Sequence, residues 1–326
     1  MEKKKINFGI IGTGHIGNYH IQQALNIKII NFVGVFDIVS KQANKIAKKY
    51  KIKAFNSIDE LLDKCDAVSI ASPAQTHYMI AKQALKHSCH LFIEKPITTN
   101  VEEAQKIIEI ANRLNLKVQV GHIERFNPII VDFTQQYNKV SPLFIESHRL
   151  APFNIRGTDT NVILDLMIHD IDLILFFVNS EIKKVEASGV SVLSDSFDLV
   201  NARLSFQNGC IANLTASRIS DKPLRKLRLF EKNQYVSMDL QTNTGSIYNV
   251  LNSQKASPKG SILKLKNKHI LLKKLVAKPS NALFEELVSF INSIQNAKTP
   301  TVSAVDGKKA IELAILIKDK INEQKK

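Results

Sequence analysis

Short apolar runs alternate with longer segments of helical period over the first 120 residues of the chain. The runs have the length of buried strands, whereas the segments between them repeat apolar residues at intervals of three and four. Strands that alternate with helices form βαβ units, so the pattern predicts a doubly wound parallel sheet. The predicted strands are Ile6–Ile11, Asn31–Phe36, Ala67–Ala71, His90–Ile93 and Lys117–Val120, and the predicted helices are Ile16–Asn26, Ser40–Lys49, Thr76–His87 and Val101–Leu114.

After Gly121 the alternation of single apolar and polar residues becomes the main signal. Asn208-Gly209 is a strong hairpin signal, and successive short strands with such turns favour an antiparallel meander. We therefore predict an α/β chain with a doubly wound domain, residues 1–121, and an α+β domain, residues 122–326, whose sheet is mostly antiparallel. The closing helices are able to pack back on the first domain. The predicted elements are strands at Leu143–Glu146, Ile182–Val192, Val200–Phe206, Cys210–Ala216, Lys226–Phe230 and Tyr235–Leu240, surface hairpins at Thr242–Gly260, and helices at Val162–Val178, Ala282–Gln295 and Ala304–Lys320.

The composition adds one unusual feature, a formal net charge of +15. With 326 residues, 44% of them hydrophobic and 23% charged, the chain is globular and not a disordered or fibrous protein. The segment from Lys222 to Lys278 contains thirteen lysines and arginines but only two acidic residues. Only eight of the 45 cationic residues in the whole chain are arginines, the residue type that reads base edges in nucleic acids. We therefore expect a solvated lysine-rich sheet face and no nucleic-acid partner, with a polyanion site as the alternative.

The three cysteines, Cys65, Cys89 and Cys210, are widely spaced and form no Cys-x-x-Cys pair. This spacing favours small buried side chains in a reducing compartment. The N-terminal Met1–Lys5 has no apolar signal core, and the longest apolar runs, such as Leu173–Val178, are too short to cross a bilayer. We therefore expect a cytoplasmic protein without a membrane partner.

A glycine-rich motif follows the first predicted strand and opens the first predicted helix. In this setting the glycines allow a tight turn and a close approach to a pyrophosphate, which the helix N-terminus attracts. Asp37 ends the second strand, twenty residues after the motif, where a carboxylate accepts hydrogen bonds from a ribose diol and repels a 2′-phosphate. These positions favour NAD over NADP, although the positive charge of the nearby Lys41 weakens the exclusion of NADP. The motif residues are Gly12, Thr13, Gly14, His15, Ile16 and Gly17.

Two further groups carry candidate chemistry. Glu94-Lys95-Pro96 follows the strand His90–Ile93, at the sheet edge where doubly wound folds bind ligands. Asp165 and His169 are four residues apart in a predicted helix, so the carboxylate lies on the same face as the imidazole and can orient it. The same spacing could also bind a metal, so these two residues alone leave base and ligand roles open.

Together these residues resemble the Gfo/Idh/MocA family of oxidoreductases in order and approximate spacing. The likeness covers nearly the whole chain and includes Ser72-Pro73 followed by His77. It implies a Rossmann domain, a second α/β domain whose open sheet often mediates dimers or tetramers, and hydride transfer between a sugar or cyclitol hydroxyl and a nicotinamide. By position, it implies that Lys95 is the active-site lysine and that Asp165 and His169 are the acid/base pair. It also implies that Ser72, His77 and Glu94, with Lys95, line the nicotinamide half of the cofactor.

A narrower likeness extends from the Gly-His-Ile-Glu-Arg-Phe-Asn-Pro segment that begins at Gly121. It is similar to the subgroup that oxidises the 3-hydroxyl of UDP-N-acetylglucosamine or related UDP-sugars. Arg125, Arg149 and Arg156 are three of the eight arginines, and arginine forks suit a diphosphate. We expect His122, Arg125 and Arg156 to bind a UDP-sugar, with interdomain ion pairs as the alternative role for some of these arginines.

The sequence therefore favours a nicotinamide-dependent dehydrogenase without a metal. We expect His169, oriented by Asp165, to take the hydroxyl proton while Lys95 stabilises the developing alkoxide. A free sugar or inositol is the alternative substrate, and a homodimer or homotetramer is the expected assembly. An alternative is a metal-dependent hydrolase that uses His122 and His148 together with Asp165 and His169, but this function would leave the glycine motif without a role. A non-catalytic NAD(H)-sensing protein that binds nucleic acid is the remaining alternative.

Overall fold

The computed structural model describes residues 4–137, 140–153, 161–251, 261–265 and 268–324. The chain divides into two compact units. The first consists of Met1–Ile123 and Asn281–Glu312, and the second of Glu124–Ser280 and Leu313–Lys326. Among the described residues, no helix is both long enough and apolar enough to cross a bilayer.

The first unit is built on five parallel strands in the order β2-β1-β3-β4-β5, as the βαβ pattern predicts. A single parallel bridge between Val35 and Ala54 adds one residue outside β2, so the arrangement follows the 3-2-1-4-5-6 order of dinucleotide-binding sheets. The strand order reverses between β1 and β3, and ligands bind at the carboxyl edge of such a switch point. The strands are β1 (Ile6–Ile11), β2 (Ile30–Phe36), β3 (Ala67–Ile70), β4 (His90–Glu94) and β5 (Val118–Gly121).

Helices cover this sheet, and one of them comes from the far end of the chain. The fully buried Phe8, Phe92 and Phe290 belong to one apolar cluster, and the Phe92 and Phe290 rings meet edge to face at 5.9 Å. Phe290 lies on α8, so this helix completes the core of the first unit. The helices of this unit are α1 (His15–Ala24), α2 (Ser40–Tyr50), α3 (Ile58–Leu62), α4 (Ala74–Lys86), α5 (Val101–Arg113), α8 (Ala282–Gln295) and the first part of α9 (Ala304–Glu323).

The second unit contains a nine-stranded sheet in the order β13-β14-β12-β11-β10-β6-β9-β8-β7. Every neighbouring pair is antiparallel except β6 and β9, which are parallel. The predicted open, mostly antiparallel sheet is therefore confirmed. The strands are β6 (Phe144–Leu150), β7 (Ile182–Val190), β8 (Leu199–Phe206), β9 (Ile211–Ser217), β10 (Leu224–Phe230), β11 (Gln234–Asp239), β12 (Thr244–Leu251), β13 (Ser261–Leu265) and β14 (Lys268–Val276).

One predicted element in this sheet is only part of what the structure contains. The first part of Thr242–Gly260 does form a hairpin, since β12 pairs with the preceding β11, but its other edge pairs with β14, so β12 lies inside the sheet. Its polar residues hide the apolar alternation, yet Ile247 is fully buried. Pairing on both edges satisfies the backbone of this strand whatever its side chains are. Residues 252–260 lie outside the described part of the chain.

The predicted helix Val162–Val178 consists of two different helical forms. A π-helical turn spans Ile163–Met167, and α7 follows over Ile168–Val178. The side-chain oxygen of Asn161 accepts hydrogen bonds from the first two backbone N–H groups of the turn and caps it. The preceding segment, which the pattern did not predict, adds a 3-10 turn (Ile123–Phe126) and α6 (Pro128–Gln136).

Candidate active site

The three glycines of the motif differ in how closely the rest of the protein surrounds them. Gly12 has φ +93°, and a Cβ there would lie 2.8 Å from the backbone of Ala71. At Gly17 a Cβ would lie 1.9 Å from the carbonyl oxygen of Gly12. Gly14 has an ordinary φ of −64°, and the nearest atom to its Cβ would be Nε2 of Gln42 at 4.0 Å. Packing within the protein therefore explains Gly12 and Gly17, whereas it leaves the space above Gly14 open.

This open space lies at the N-terminus of α1, where Gly14 is the N-cap residue. The first turn of the helix contains no acidic side chain, so nothing on α1 competes for the partial positive charge of the helix end. A pyrophosphate fits a surface of this kind, since it needs close backbone approach and exposed N–H groups. These features show that the residues present suit a dinucleotide.

Asp37 follows β2 and is tied to the glycine loop. Its Oδ2 accepts hydrogen bonds from the backbone N–H of Thr13 at 2.7 Å and from the Thr13 hydroxyl at 2.8 Å. Its Oδ1 accepts a hydrogen bond from the backbone N–H of Val39 at 2.9 Å. A carboxylate offers about four acceptor positions, so Oδ1 retains capacity for a hydroxyl. The carboxylate is thus fixed beside the loop and can still accept a ribose hydroxyl.

Lys95 follows the last residue of β4, and its peptide bond to Pro96 is cis. The Lys95 backbone N–H donates to Oε2 of Glu94 at 3.2 Å, and Oε1 of Glu94 lies 2.8 Å from Nε2 of His20. Burial raises the pKa of Glu94, but the hydrogen bond and charge of His20 and the charge of Lys95 outweigh it. The pKa therefore lies below its usual range, and Glu94 is an anion beside the lysine.

Two predicted cofactor residues, Ser72 and His77, connect the ends of β3 and β4. His77 is buried, with Nε2 at 2.9 Å from the carbonyl oxygen of Ser72 and Nδ1 at 2.9 Å from that of Pro96. Burial lowers the pKa of His77. Ser72 is half-buried, and its hydroxyl lies 2.7 Å from that of Thr76. His77 therefore braces the backbone on which Ser72 and Lys95 sit.

The other two predicted catalytic residues belong to the second unit. Asp165 lies in the π-helical turn and His169 at the second position of α7, and both side chains are half-buried. A π turn inside a helix often marks a functional site because it changes the direction of the side chains. The spacing of four residues therefore spans a junction between helical forms and not one regular helix.

Two buried arginines anchor this helix. Arg125 forms a two-pronged ion pair with Asp172 at 2.7 and 2.8 Å, and its guanidinium lies over the Phe176 ring. Arg149 bonds Asp170 at 2.6 Å and Glu124 at 2.8 Å. These contacts lie within the second unit, so the ion pairs of Arg125 and Arg149 described here are intradomain pairs. Arg156 lies outside the described residues.

The sequence pattern assigned no role to His20, Asp170 or Asp172. His20 follows the glycine motif by three residues, and the two aspartates flank Ile171 directly after His169, so all three adjoin predicted site residues. Their partners are far along the chain, which is why periodicity gave no signal. His122, a predicted substrate contact, is buried at the end of the first unit. Among the described residues, no group of three or more His, Cys, Asp and Glu side chains could hold a metal ion.

Known proteins resemble the chain over nearly its whole length. Residues 6–122 match the oxidoreductase family with an NAD-binding Rossmann fold, and residues 133–257 match the Gfo/Idh/MocA C-terminal domain. A UDP-N-acetylglucosamine 3-dehydrogenase from Acidithiobacillus ferrooxidans is 36% identical over 310 residues, which is 95% of each chain. Its solved structure superposes with a TM-score of 0.88 at 33% identity and covers 97% of this chain and 98% of that one. A myo-inositol 2-dehydrogenase from Thermotoga maritima is 25% identical over 98% of this chain and 97% of its own. The chain therefore belongs to the Gfo/Idh/MocA family of NAD-binding oxidoreductases.

Proposed function

We propose that this oxidoreductase oxidises the 3-hydroxyl of UDP-N-acetylglucosamine or a closely related UDP-sugar. The observation that carries the proposal is the 36% identity to a UDP-N-acetylglucosamine 3-dehydrogenase over 95% of both chains. The inositol dehydrogenase that aligns over a similar length is only 25% identical. A free sugar or inositol is therefore the second candidate substrate.

The proposed cofactor is NAD and not NADP. The support is the Asp37 carboxylate, which Thr13 and Val39 hold in place beside the glycine loop. A fixed anion at this position accepts a ribose hydroxyl and repels a 2′-phosphate. Lys41, which is exposed on α2, is the nearest residue along the chain that could offset this repulsion.

In the proposed reaction, His169 takes the proton of the substrate hydroxyl as a general base. Imidazole suits this role because it exchanges protons near neutral pH. Asp165 orients the imidazole, and the Lys95 ammonium stabilises the negative charge that develops on the substrate oxygen. Bound NAD supplies the hydride acceptor.

For the substrate, His122, Arg125 and Arg156 remain the proposed contacts. The Nε and Nη2 of Arg125 already serve Asp172, so this residue would act on a diphosphate as a fixed positive charge more than as an open fork. Replacement of Arg156 is therefore expected to weaken substrate binding more than replacement of Arg125.

The test is a substrate screen that follows NADH formation. Purified enzyme is expected to reduce NAD with UDP-N-acetylglucosamine, and turnover should fall by about 100-fold to 10,000-fold in His169→Ala while NAD affinity is unchanged. Activity with inositol or glucose and none with UDP-sugars would overturn the substrate assignment. Near-normal turnover in His169→Ala would overturn the role of the histidine.

We further propose that the nine-stranded sheet forms the contact in a homodimer or homotetramer. Four half-buried aromatic rings, from Phe144, Phe230, Tyr235 and Tyr248, follow one another across β6, β10, β11 and β12 with centroids 5.9, 4.8 and 5.4 Å apart. Their strand neighbours are buried, so the row lies on the face opposite the core. Tyr235→Glu should shift the sedimentation coefficient to that of a smaller species, whereas Lys45→Glu on α2 should not. An unchanged coefficient in Tyr235→Glu would contradict this contact.

The protein is proposed to work in the cytoplasm. Its three cysteines are unpaired, and burial raises the pKa of Cys89 to about 12 and that of Cys210 to about 11. Thiols of this kind resist oxidation and are typical of a reducing compartment. A fluorescent fusion that localised to an envelope fraction of its host would refute this proposal.

A further inference from the structure

His20 is a fully buried histidine on α1 whose ring is held from three sides. Its Nε2 lies 2.8 Å from Oε1 of Glu94, and its Nδ1 lies 2.8 Å from the hydroxyl oxygen of Ser69. The edge of the ring packs against Phe92 with centroids 5.3 Å apart. Helix α1 is the helix that opens at the glycine loop, so this ring links the cofactor-binding helix to the ends of β3 and β4.

Glu94 has little room to move away from this ring. Its Oε1 is bonded to His20, its Oε2 accepts the Lys95 N–H, and a Cβ on Gly121 would lie 2.9 to 3.0 Å from the carboxyl group. An ionised carboxylate only accepts hydrogen bonds, so His20 Nε2 carries the proton that they share. Gly121 thus leaves space for the carboxylate, and His20 determines where it sits.

From Glu94, whose side chain is 18% exposed, the hydrogen bonds run inward through His20 and not outward to solvent. Beyond His20 lies Ser69, which is fully buried, so a proton passed along these groups would remain inside the protein. A route for the substrate proton is therefore not its purpose. What the three groups provide is a fixed negative charge next to Lys95.

We propose that His20 is a positioning residue that holds the Glu94 carboxylate in place beside Lys95 and so aligns the lysine at the end of β4. The inference rests on the proposed function, since Lys95 acts there on the substrate oxygen. His20 itself touches neither substrate nor reacting atoms, and its effect passes through Glu94.

The first test uses the cofactor-free protein. The titration of the Glu94 carboxyl is followed by ¹³C NMR, with Glu94→Gln to assign the signal. In His20→Leu the midpoint should rise by at least about one pH unit, because burial then acts on Glu94 without the hydrogen bond that offsets it. His20→Gln keeps an amide donor and should restore most of the shift. His90→Leu changes a histidine at the opposite end of β4 and should leave the midpoint unchanged.

The second test separates binding from turnover. His20→Leu should lower kcat by about 10-fold to 100-fold while the KM for substrate stays within about 3-fold, because a misplaced lysine affects the transition state more than ground-state binding. Adding Glu94→Gln to His20→Leu should cause little further loss, since both changes remove the same interaction. His20→Gln should recover activity, and His90→Leu should retain it.

An unchanged Glu94 midpoint in His20→Leu, or losses from His20→Leu and Glu94→Gln that add independently, would overturn the proposal. If His20→Leu does not fold, His20→Asn replaces it, since the shorter amide keeps a polar group in the site without reaching Glu94. Should the wild-type enzyme oxidise no sugar nucleotide, the proposed function is wrong, while the titration still decides the role of His20.

Discussion

Replacement of Gly14 by alanine tests whether a pyrophosphate lies against the first turn of α1. The added methyl group meets no atom closer than 4.0 Å, and the φ of −64° suits any residue. Alanine is a poorer N-cap than glycine by about 0.5 to 1 kcal/mol. Alanine also lowers the conformational entropy of the unfolded chain, which stabilises the folded state by about 0.4 to 1 kcal/mol. The two effects nearly cancel, so the Tm of the cofactor-free protein should change by less than about 4 °C.

The affinity for NAD should change far more. A methyl group in the space above Gly14 would push the pyrophosphate away from the backbone N–H groups of the helix end. The loss of one charge-assisted hydrogen bond costs about 1.5 to 3 kcal/mol, which corresponds to a Kd about 10-fold to 100-fold weaker. Calorimetric titration with NAD measures this change directly, and thermal unfolding followed by circular dichroism measures the Tm.

Two other glycines serve as controls. Gly209 has φ +88° in a hairpin of the second unit, so Gly209→Ala should lower the Tm through backbone strain and leave the Kd for NAD unchanged. Gly12→Ala should impair both quantities, because its Cβ would lie 2.8 Å from the Ala71 backbone. A folded Gly14→Ala protein that binds NAD with the wild-type Kd would refute the assignment of this space to the pyrophosphate.

Three further predictions follow from the charged groups. Asp37→Ser should shift the ratio of NADP to NAD affinity by at least about 10-fold toward NADP, as measured by titration with both cofactors; an unchanged ratio would contradict the role of this carboxylate. Arg149→Met leaves two buried carboxylates, Glu124 and Asp170, without their partner and should lower the free energy of unfolding in urea by about 3 to 5 kcal/mol; a loss below about 1 kcal/mol would show that the network is not coupled to folding. Burial raises the pKa of Asp198, but hydrogen bonds from the backbone of 192–194 and a serine hydroxyl outweigh it and hold the pKa below its usual range. The contribution of Asp198 to stability is therefore present above about pH 4 and is lost as the pH falls further. When the free energy of unfolding is measured in urea at a series of pH values, Asp198→Asn should reduce its fall below about pH 4. An unchanged fall below about pH 4 would refute this prediction.

Local chemistry along the chain was sufficient for much of the fold and for the cofactor loop. Buried strands and amphipathic helices differ in period, so the five parallel strands and α8 could be predicted from spacing alone. The glycine motif and Asp37 were also predictable because their geometry depends on one turn between β1 and α1 and on the end of the next strand. The strand β12 was not predictable, since its place inside the sheet is set by neighbours on both edges and not by its own polar sequence.

Tertiary structure alone decided which charged groups meet. His20 and Glu94 are 74 residues apart, and Arg125 and Asp172 are 47 residues apart, yet each pair is within hydrogen-bond distance. The same arginines suit a diphosphate or a carboxylate equally well by chemistry, and only folding placed two carboxylates of α7 against them. The sequence by itself thus determined the types of groups at the site, because residue type sets chemistry. Which partner each group has depends on distance through space, which only the packed chain defines.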